Sequence, residues 1–212
     1  MRKKKIILIG GGGHCKSCIE VINSKDEFEI IGIVDKEERI GETILGYKIF
    51  ATDDDIPELR LKYQYALITI GQVKSSSLRE KLFNLAKKEG FCLPSIVAST
   101  AYLSKSAELG EGTILMHHTM VNSDVKIGVN TIINTKSLIE HDTVIGDFNH
   151  ISTNSIINGN VTIGNSCMIG SNTVCKNGIV LGNNVIIGLG SVIHKDIKGS
   201  GTYLGNPLRK IK

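Results

Sequence analysis

Residues 133–163 read Ile133-Asn134-Thr135-Lys136-Ser137-Leu138-Ile139-Glu140-His141-Asp142-Thr143-Val144-Ile145-Gly146-Asp147-Phe148-Asn149-His150-Ile151-Ser152-Thr153-Asn154-Ser155-Ile156-Ile157-Asn158-Gly159-Asn160-Val161-Thr162-Ile163. Every sixth residue, starting from Ile133, is Ile. The beat extends in both directions, from Leu103 through Leu109, Leu115, Val121 and Ile127 to Ile169, Cys175, Leu181, Ile187 and Ile193, and only Cys175 departs from Ile, Leu or Val. A continuous strand repeats every two residues and a helix every 3.6, so neither returns a side chain inward in this register. Short strands broken by turns do. Three such hexads close one triangular coil of 18 residues, and about five coils stacked ~4.8 Å apart are expected. Glycines follow many anchors (Gly110, Gly128, Gly146, Gly164, Gly170, Gly182, Gly188), and with Asn122, Asn134 and Asn158 they are assigned to the corners. Four residues after the anchors stand small or β-branched side chains such as Thr113, Thr131, Ser137, Thr143 and Ser155.

The first 96 residues lack this beat. Ile6–Ile9 is a continuous apolar strand, Gly10–Gly13 a turn, and His14–Asn23 a helix with Cys18, Ile19 and Ile22 on one side. A second strand spans Glu29–Val34 and a third Tyr65–Ile70. Ser76–Glu89 is a helix whose stripe is Leu78, Leu82, Leu85 and Ala86, stopped by Gly90. Strands flanked by helices imply a parallel sheet. The expected fold is therefore a small Rossmann-like α/β domain over residues 1–96, followed by a parallel β-helix over 97–212.

Composition narrows the function. A net charge of +4 with scattered Lys residues argues against a nucleic-acid-binding face. No segment reaches the length of a membrane span. Five cysteines without framework spacing suit a reducing cytoplasm. Small-molecule partners are expected.

Strand, glycines and helix together form a phosphate-cradling arrangement, because free N–H groups and the helix dipole favour an anion. Gly10 and Gly12 fit G-x-G, but Cys15 stands at the third glycine position, which argues against NAD. Asp35, closing the second strand, is placed to bind ribose or sugar hydroxyls. Cys15 and Cys18 spell C-x-x-C at a helix start, where a thiolate would be stabilised. His14, Cys15 and Cys18 are too crowded, and His141 and His150 too few, for a metal site, so none is assigned.

In the repeat, His141 takes the third, outward position of its hexad, with Glu140 and Asp142 on either side. A neighbouring carboxylate fixes an imidazole tautomer and raises its basicity, as general-base chemistry requires. The same residues also fit a surface histidine paired to Asp142. Gly159 lies 18 residues on, one coil above, where a backbone N–H could stabilise an oxyanion. No Cys–His pair has spacing suited to a covalent acyl-enzyme, so direct transfer is expected.

The stretch Asn134 to Asp142, followed by Ile145-Gly146-Asp147, His150-Ile151-Ser152 and Asn158-Gly159, resembles the PglD/NeuD-type bacterial sugar acetyltransferases of the hexapeptide-repeat acyltransferase superfamily. The resemblance implies a left-handed β-helix, a homotrimer, and acetyl-CoA lying between neighbouring prisms. It implies that His141 deprotonates the acceptor, Asp142 orients it and Gly159 N–H polarises the thioester, with His150 near the acetyl group or sugar. Gly12, Gly13 and His14 would contact a nucleotide-linked sugar, with Asp35, Gly71 and Gln72 lining the same cleft. Gly170, Ser171, Gly188 and Leu189 match the family's pantetheine-binding stretch, although Gly188–Ser191 also reads as an ordinary corner. The basic end around Arg209 and Lys210 either faces coenzyme phosphates or is simply exposed. The implied activity is N-acetylation of a nucleotide-linked 4-amino-deoxy sugar for surface-glycan synthesis. Two alternatives stay open: O-acetylation of a sialic acid-type sugar or CMP-sialic acid, and a non-catalytic nucleotide-sugar-binding trimer.

Overall fold

The computed structural model describes residues 3–211. Its first part is a five-stranded sheet of order β3-β4-β2-β1-β5: β1 (Lys4–Ile9), β2 (Phe28–Val34), β3 (Thr43–Ile44), β4 (Tyr47–Ala51) and β5 (Tyr65–Ile68). β1 is parallel to both β2 and β5, and its Ile6, Ile7, Leu8 and Ile9 are wholly buried, as a strand covered on both faces requires. Three helices pack with it: α1 (Gly13–Asn23), α2 (Ile56–Lys62) and α3 (Ser77–Lys88).

Two expectations are corrected here. Tyr65–Ile68 is the fifth strand, not the third, because β3 and β4 form a hairpin that carries little hydrophobic periodicity. Its turn is Leu45-Gly46, both at positive φ (48° and 85°), and Leu there is an unusual choice for that conformation. In α3 the inward stripe is Arg79, Leu82, Phe83 and Ala86, while Leu78 is 51% exposed. Arg79 stands on the buried side because its guanidinium bonds Gln72 and Asn130.

From Ile96 onward the chain winds as stacked two-residue strands on three faces, each strand pairing in parallel with the one 18 residues later. The first face carries Ile96–Val97, Ile114–Leu115, Ile132–Ile133, His150–Ile151, Met168–Ile169 and Val185–Ile187. The second carries Tyr102–Leu103 through Val192–Ile193, and the third Glu108–Leu109 through Val180–Leu181. The anchors from Leu115 to Ile193 fill one interior, with Leu103 and Leu109 partly buried at its open end.

The corner assignment is also corrected. The residues in the left-handed region are three past each anchor from Leu109 to Ile187: Gly112, His118, Asp124, Asn130, Lys136, Asp142, Phe148, Asn154, Asn160, Ser166, Asn172, Gly178, Asn184 and Gly190. The glycines directly after the anchors serve a different need. A Cβ on Gly110 would lie 2.5 Å from the backbone of Gly128 one coil above, so these positions are glycine because the coils stack too closely for a side chain. The small polar residues four past the anchors tie the coils together, for example Ser137 Oγ to Ser152 O at 2.7 Å and Thr143 Oγ1 to Asn158 O at 3.1 Å.

Helix α3 lies along one corner ladder. A Cβ on Gly112 would meet Phe83 at 3.2 Å, Arg79 bonds Asn130, Phe83 packs edge-on against Phe148 at 5.5 Å, and Ser166 donates to Glu80 at 2.7 Å. The α/β part is thereby seated on the first face and on the corner between the third and first faces.

Candidate active site

His141 sits at the corner between the second and third faces, with its side chain 60% exposed. The left-handed conformation of Asp142 (φ 59°) turns the chain there, and His141 Nδ1 lies 2.8 Å from Asp142 Oδ2. A protonated Nδ1 donating to this carboxylate leaves Nε2 as the free basic nitrogen. The Asp142 hydrogen bond, helped by the charges of Asp142 and Glu140, holds the His141 pKa above its ordinary 6.5. Glu140 itself turns away and accepts from Asn122 Nδ2 at 2.7 Å, so only one flanking carboxylate touches the ring.

Gly159 stacks directly on this imidazole. A Cβ at that position would lie 2.7 Å from both Cε1 and Nε2 of His141, closer than any side chain tolerates. Its carbonyl accepts from Gly178 N at 3.0 Å, while its N–H has no partner among the described residues. The pair expected from the spacing is therefore brought together.

A second cluster gathers on the first face, beneath the α/β part. His150 is buried, its Nδ1–H donates to Gln72 O at 2.7 Å, and its Nε2 accepts from Asn134 Nδ2 at 3.1 Å. Burial lowers its pKa to about 4, so the ring is neutral and both nitrogens are occupied. The His14 ring lies 6.4 Å from it, its pKa lowered by burial to about 3, and His14 Nε2 is a buried nitrogen without a hydrogen-bond partner among the described residues. A Cβ on Gly71 would press on His14 Cβ at 3.3 Å. Gln72 is itself buried, with Nε2 donating to Cys167 O at 3.2 Å, so its side chain bridges the two parts of the chain instead of lining the cleft.

Asp35 is also committed internally. Its Oδ2 accepts from Gly11 N–H at 2.7 Å and from Arg39 at 2.6 Å, and its Oδ1 accepts from Lys36 N–H at 2.8 Å. It nonetheless lines, with Gly10, Gly11, Gly12, Arg39, Glu42 and Ile70, a cleft of about 420 Å³. Gly12 and Gly13 are exposed with nothing near their missing Cβ atoms, leaving the start of α1 clear for a ligand.

Among the coenzyme candidates, Ser171 bonds Ser152 at 2.9 Å, and Leu189 is exposed at the corner between the first and second faces. Gly170 and Gly188 are explained by stacking: their Cβ atoms would meet Leu189 N at 2.5 Å and the Leu204 side chain respectively. The expectation of a stabilised thiolate at Cys15 or Cys18 is corrected, because burial outweighs the helix start and raises Cys15 to about 11 and Cys18 further. Among the described residues, no group of three or more His, Cys, Asp or Glu is placed to hold a metal ion.

The two clusters occupy different corners of the same prism. His141 and Gly159 lie at the junction of the second and third faces, while Asn134, His150, Ser171 and Leu189 lie on the first face or at its junction with the second, with the His14 ring of α1 beside His150. Asn134 and Arg79 escaped the sequence reading as functional side chains: Asn134 was read as a corner former, and Arg79 sits in a helix stripe whose apolar pattern hid it. The signal for Asn134 was its position 16 residues before His150, which puts it next to that ring in a coil of 18.

Comparison with known proteins agrees with this architecture. The PglD N-terminal domain family covers residues 5–85, and the bacterial transferase hexapeptide family (six repeats) covers 142–177. A UDP-N-acetylbacillosamine N-acetyltransferase of Bacillus subtilis is 30% identical over 118 residues, which span 53% of this chain and 51% of that protein's length. Perosamine N-acetyltransferase from Caulobacter crescentus, solved as a His-to-Asn variant with CoA and GDP-perosamine, superposes with a TM-score of 0.92 at 30% identity, covering 98% of this chain and 97% of that one. The acetyltransferase domain of PglB from Neisseria gonorrhoeae, solved with acetyl coenzyme A, gives 0.92 at 27% identity over 99% and 100% of the two chains.

Proposed function

This chain belongs to the PglD-type sugar acetyltransferases of the hexapeptide-repeat, left-handed β-helix superfamily, and from that premise we propose that it moves an acetyl group from acetyl-CoA to the amino group of a nucleotide-linked 4-amino-deoxy sugar. The observation that carries the reading is the stack of Asp142, His141 and Gly159. An amine attacks only as the free base, and His141 Nε2 is exposed and unprotonated above its pKa, so it can accept the proton released as the C–N bond forms. The Gly159 N–H faces the negative charge that develops on the carbonyl oxygen. The thioester C–S bond then breaks, and the coenzyme thiolate leaves with the proton that His141 holds. Residues 1–96 would hold the nucleotide at the glycine loop, and residues 97–212 would carry the chemistry.

A single copy leaves the two clusters on separate corners. The second face between those corners presents Tyr102, Met120, Leu138, Ile156, Val174 and Val192 outward, an apolar ladder only partly covered or exposed in one chain. The homotrimer that the family resemblance implies would bury that ladder and bring His141 of one copy to the His14 and His150 side of the next. We therefore assign a homotrimer with shared sites. Acetyl-CoA as donor assigns the reaction to the cytoplasm.

The test is coenzyme A release with a panel of UDP-, GDP- and dTDP-linked 4-amino sugars beside CMP-sialic acid. Turnover with one amino sugar and none with CMP-sialic acid is expected. Turnover confined to CMP-sialic acid would move the reaction to a hydroxyl, and no turnover with any acceptor would leave a binding protein.

A further inference from the structure

Arg79 is 1% exposed and no carboxylate among the described residues pairs with it. A buried guanidinium without an ion-pair partner is costly to keep unless hydrogen bonds replace its water. Here Nη1 donates to Gln72 Oε1 at 2.9 Å, and Nη2 donates to the Asn130 carbonyl and to Asn130 Oδ1, the latter at 2.7 Å. Nε has no partner. One planar fork thus joins the segment after β5 to a corner of the β-helix. The residue it grips, Gln72, is the one whose carbonyl receives the His150 Nδ1–H. Gln72 is held at both ends of its amide, by Arg79 on the oxygen and by Cys167 O on the nitrogen, so its backbone carbonyl is fixed over the ring. Asn134 then meets the only tautomer that leaves His150 Nε2 as an acceptor. Arg79 also places a positive charge near His14 and His150 that disfavours protonation of either ring.

We propose that Arg79 is a positioning residue: through Gln72 it locks the tautomer of His150 and seats on the β-helix the Gly71-Gln72 segment, which directly follows the Ile70 that bounds the cleft. The kinetic part rests on the acetyltransferase reading above; the tautomer part does not. Lys has the charge but not the fork, so Arg79→Lys cannot hold Gln72 and Asn130 together.

The experiment measures steady-state kinetics and the ring-nitrogen NMR signals of His150 in full-length wild type, Arg79→Lys, Gln72→Met and the double variant. The wild type should show His150 as the Nδ1–H tautomer. Either single variant should mix the tautomers and raise the acceptor KM about tenfold, as loss of a hydrogen bond to a charged group does, with the KM for acetyl-CoA roughly unchanged. The double variant should lose little more than either single one, because both break the same link. Wild-type tautomer and acceptor KM in Arg79→Lys, with only a lower melting temperature, would make Arg79 a structural residue and overturn the proposal. Additive losses in the double variant would overturn the relay through Gln72. Should Arg79→Lys fail to fold, Gln72→Met carries the same two readouts. A wild type without turnover on any acceptor refutes the acetyltransferase reading, and the NMR signals still decide the relay.

Discussion

Two histidines nine residues apart in one coil have opposite surroundings. His141 stands at an open corner against a carboxylate and is raised above its ordinary pKa, whereas His150 lies under the α/β part, bonded through both nitrogens and lowered to about 4. The repeat explains the difference. Position two after an anchor faces a corner, and the position just before an anchor points outward from a face, which on the first face is covered. One residue type is left open to solvent beside a carboxylate in the first place and held as a fixed neutral hydrogen-bonding group in the second.

The largest effect should come from removing the base. His141→Ala should lower kcat by roughly 10²–10⁴-fold without disturbing assembly, the usual span for a general base. A steady-state assay with light scattering checks both, and near-wild-type turnover would remove the contrast between the two rings.

A smaller and more specific change follows from Asp142→Asn. Without the carboxylate, the His141 pKa returns toward 6.5, so the rise of kcat/KM with pH should move to lower pH, and kcat should fall roughly tenfold as the tautomer loosens. A pH profile that keeps its position would mean that Asp142 does not tune the base.

The buried rings predict the smallest effect, on stability. His14 and His150 titrate at about 3 and about 4 in the folded chain, against about 6.5 when unfolded, so the unfolded chain binds more protons between those values. Melting temperature should therefore fall as pH drops from about 6.5 toward 4, and His150→Asn should flatten that slope. An unchanged slope would show that the ring is not held neutral by its burial.

Much of this contrast was legible in the residues. The six-residue beat gave the β-helix, and the interval of 18 put Gly159 on His141, because a stacked coil converts sequence distance into vertical distance without error. The corners were misread, since glycine after an anchor answers to close stacking between coils and not to backbone angle, and only the φ values separate the two. Asp35, placed by its position at the end of the second strand, does line the cleft while bonding Gly11 and Arg39, whereas the Gln72 side chain is buried between Arg79 and Cys167. Such contacts cross between parts of the molecule that no local period connects. Arg79 was invisible for the same reason, as its partners lie seven and 51 residues away.

The central claim, that one site is built from two corners of neighbouring copies, is tested most directly by mixing. His141→Ala and His14→Ala proteins, each expected to be nearly inactive alone, are unfolded, refolded together in equal amounts and assayed for acetyl transfer. Shared sites predict recovery to about one quarter of wild-type activity, since most random trimers are mixed and each mixed trimer regains one intact site of its three. Activity no higher than that of the two variants refolded separately would place the whole site within one chain and contradict the account.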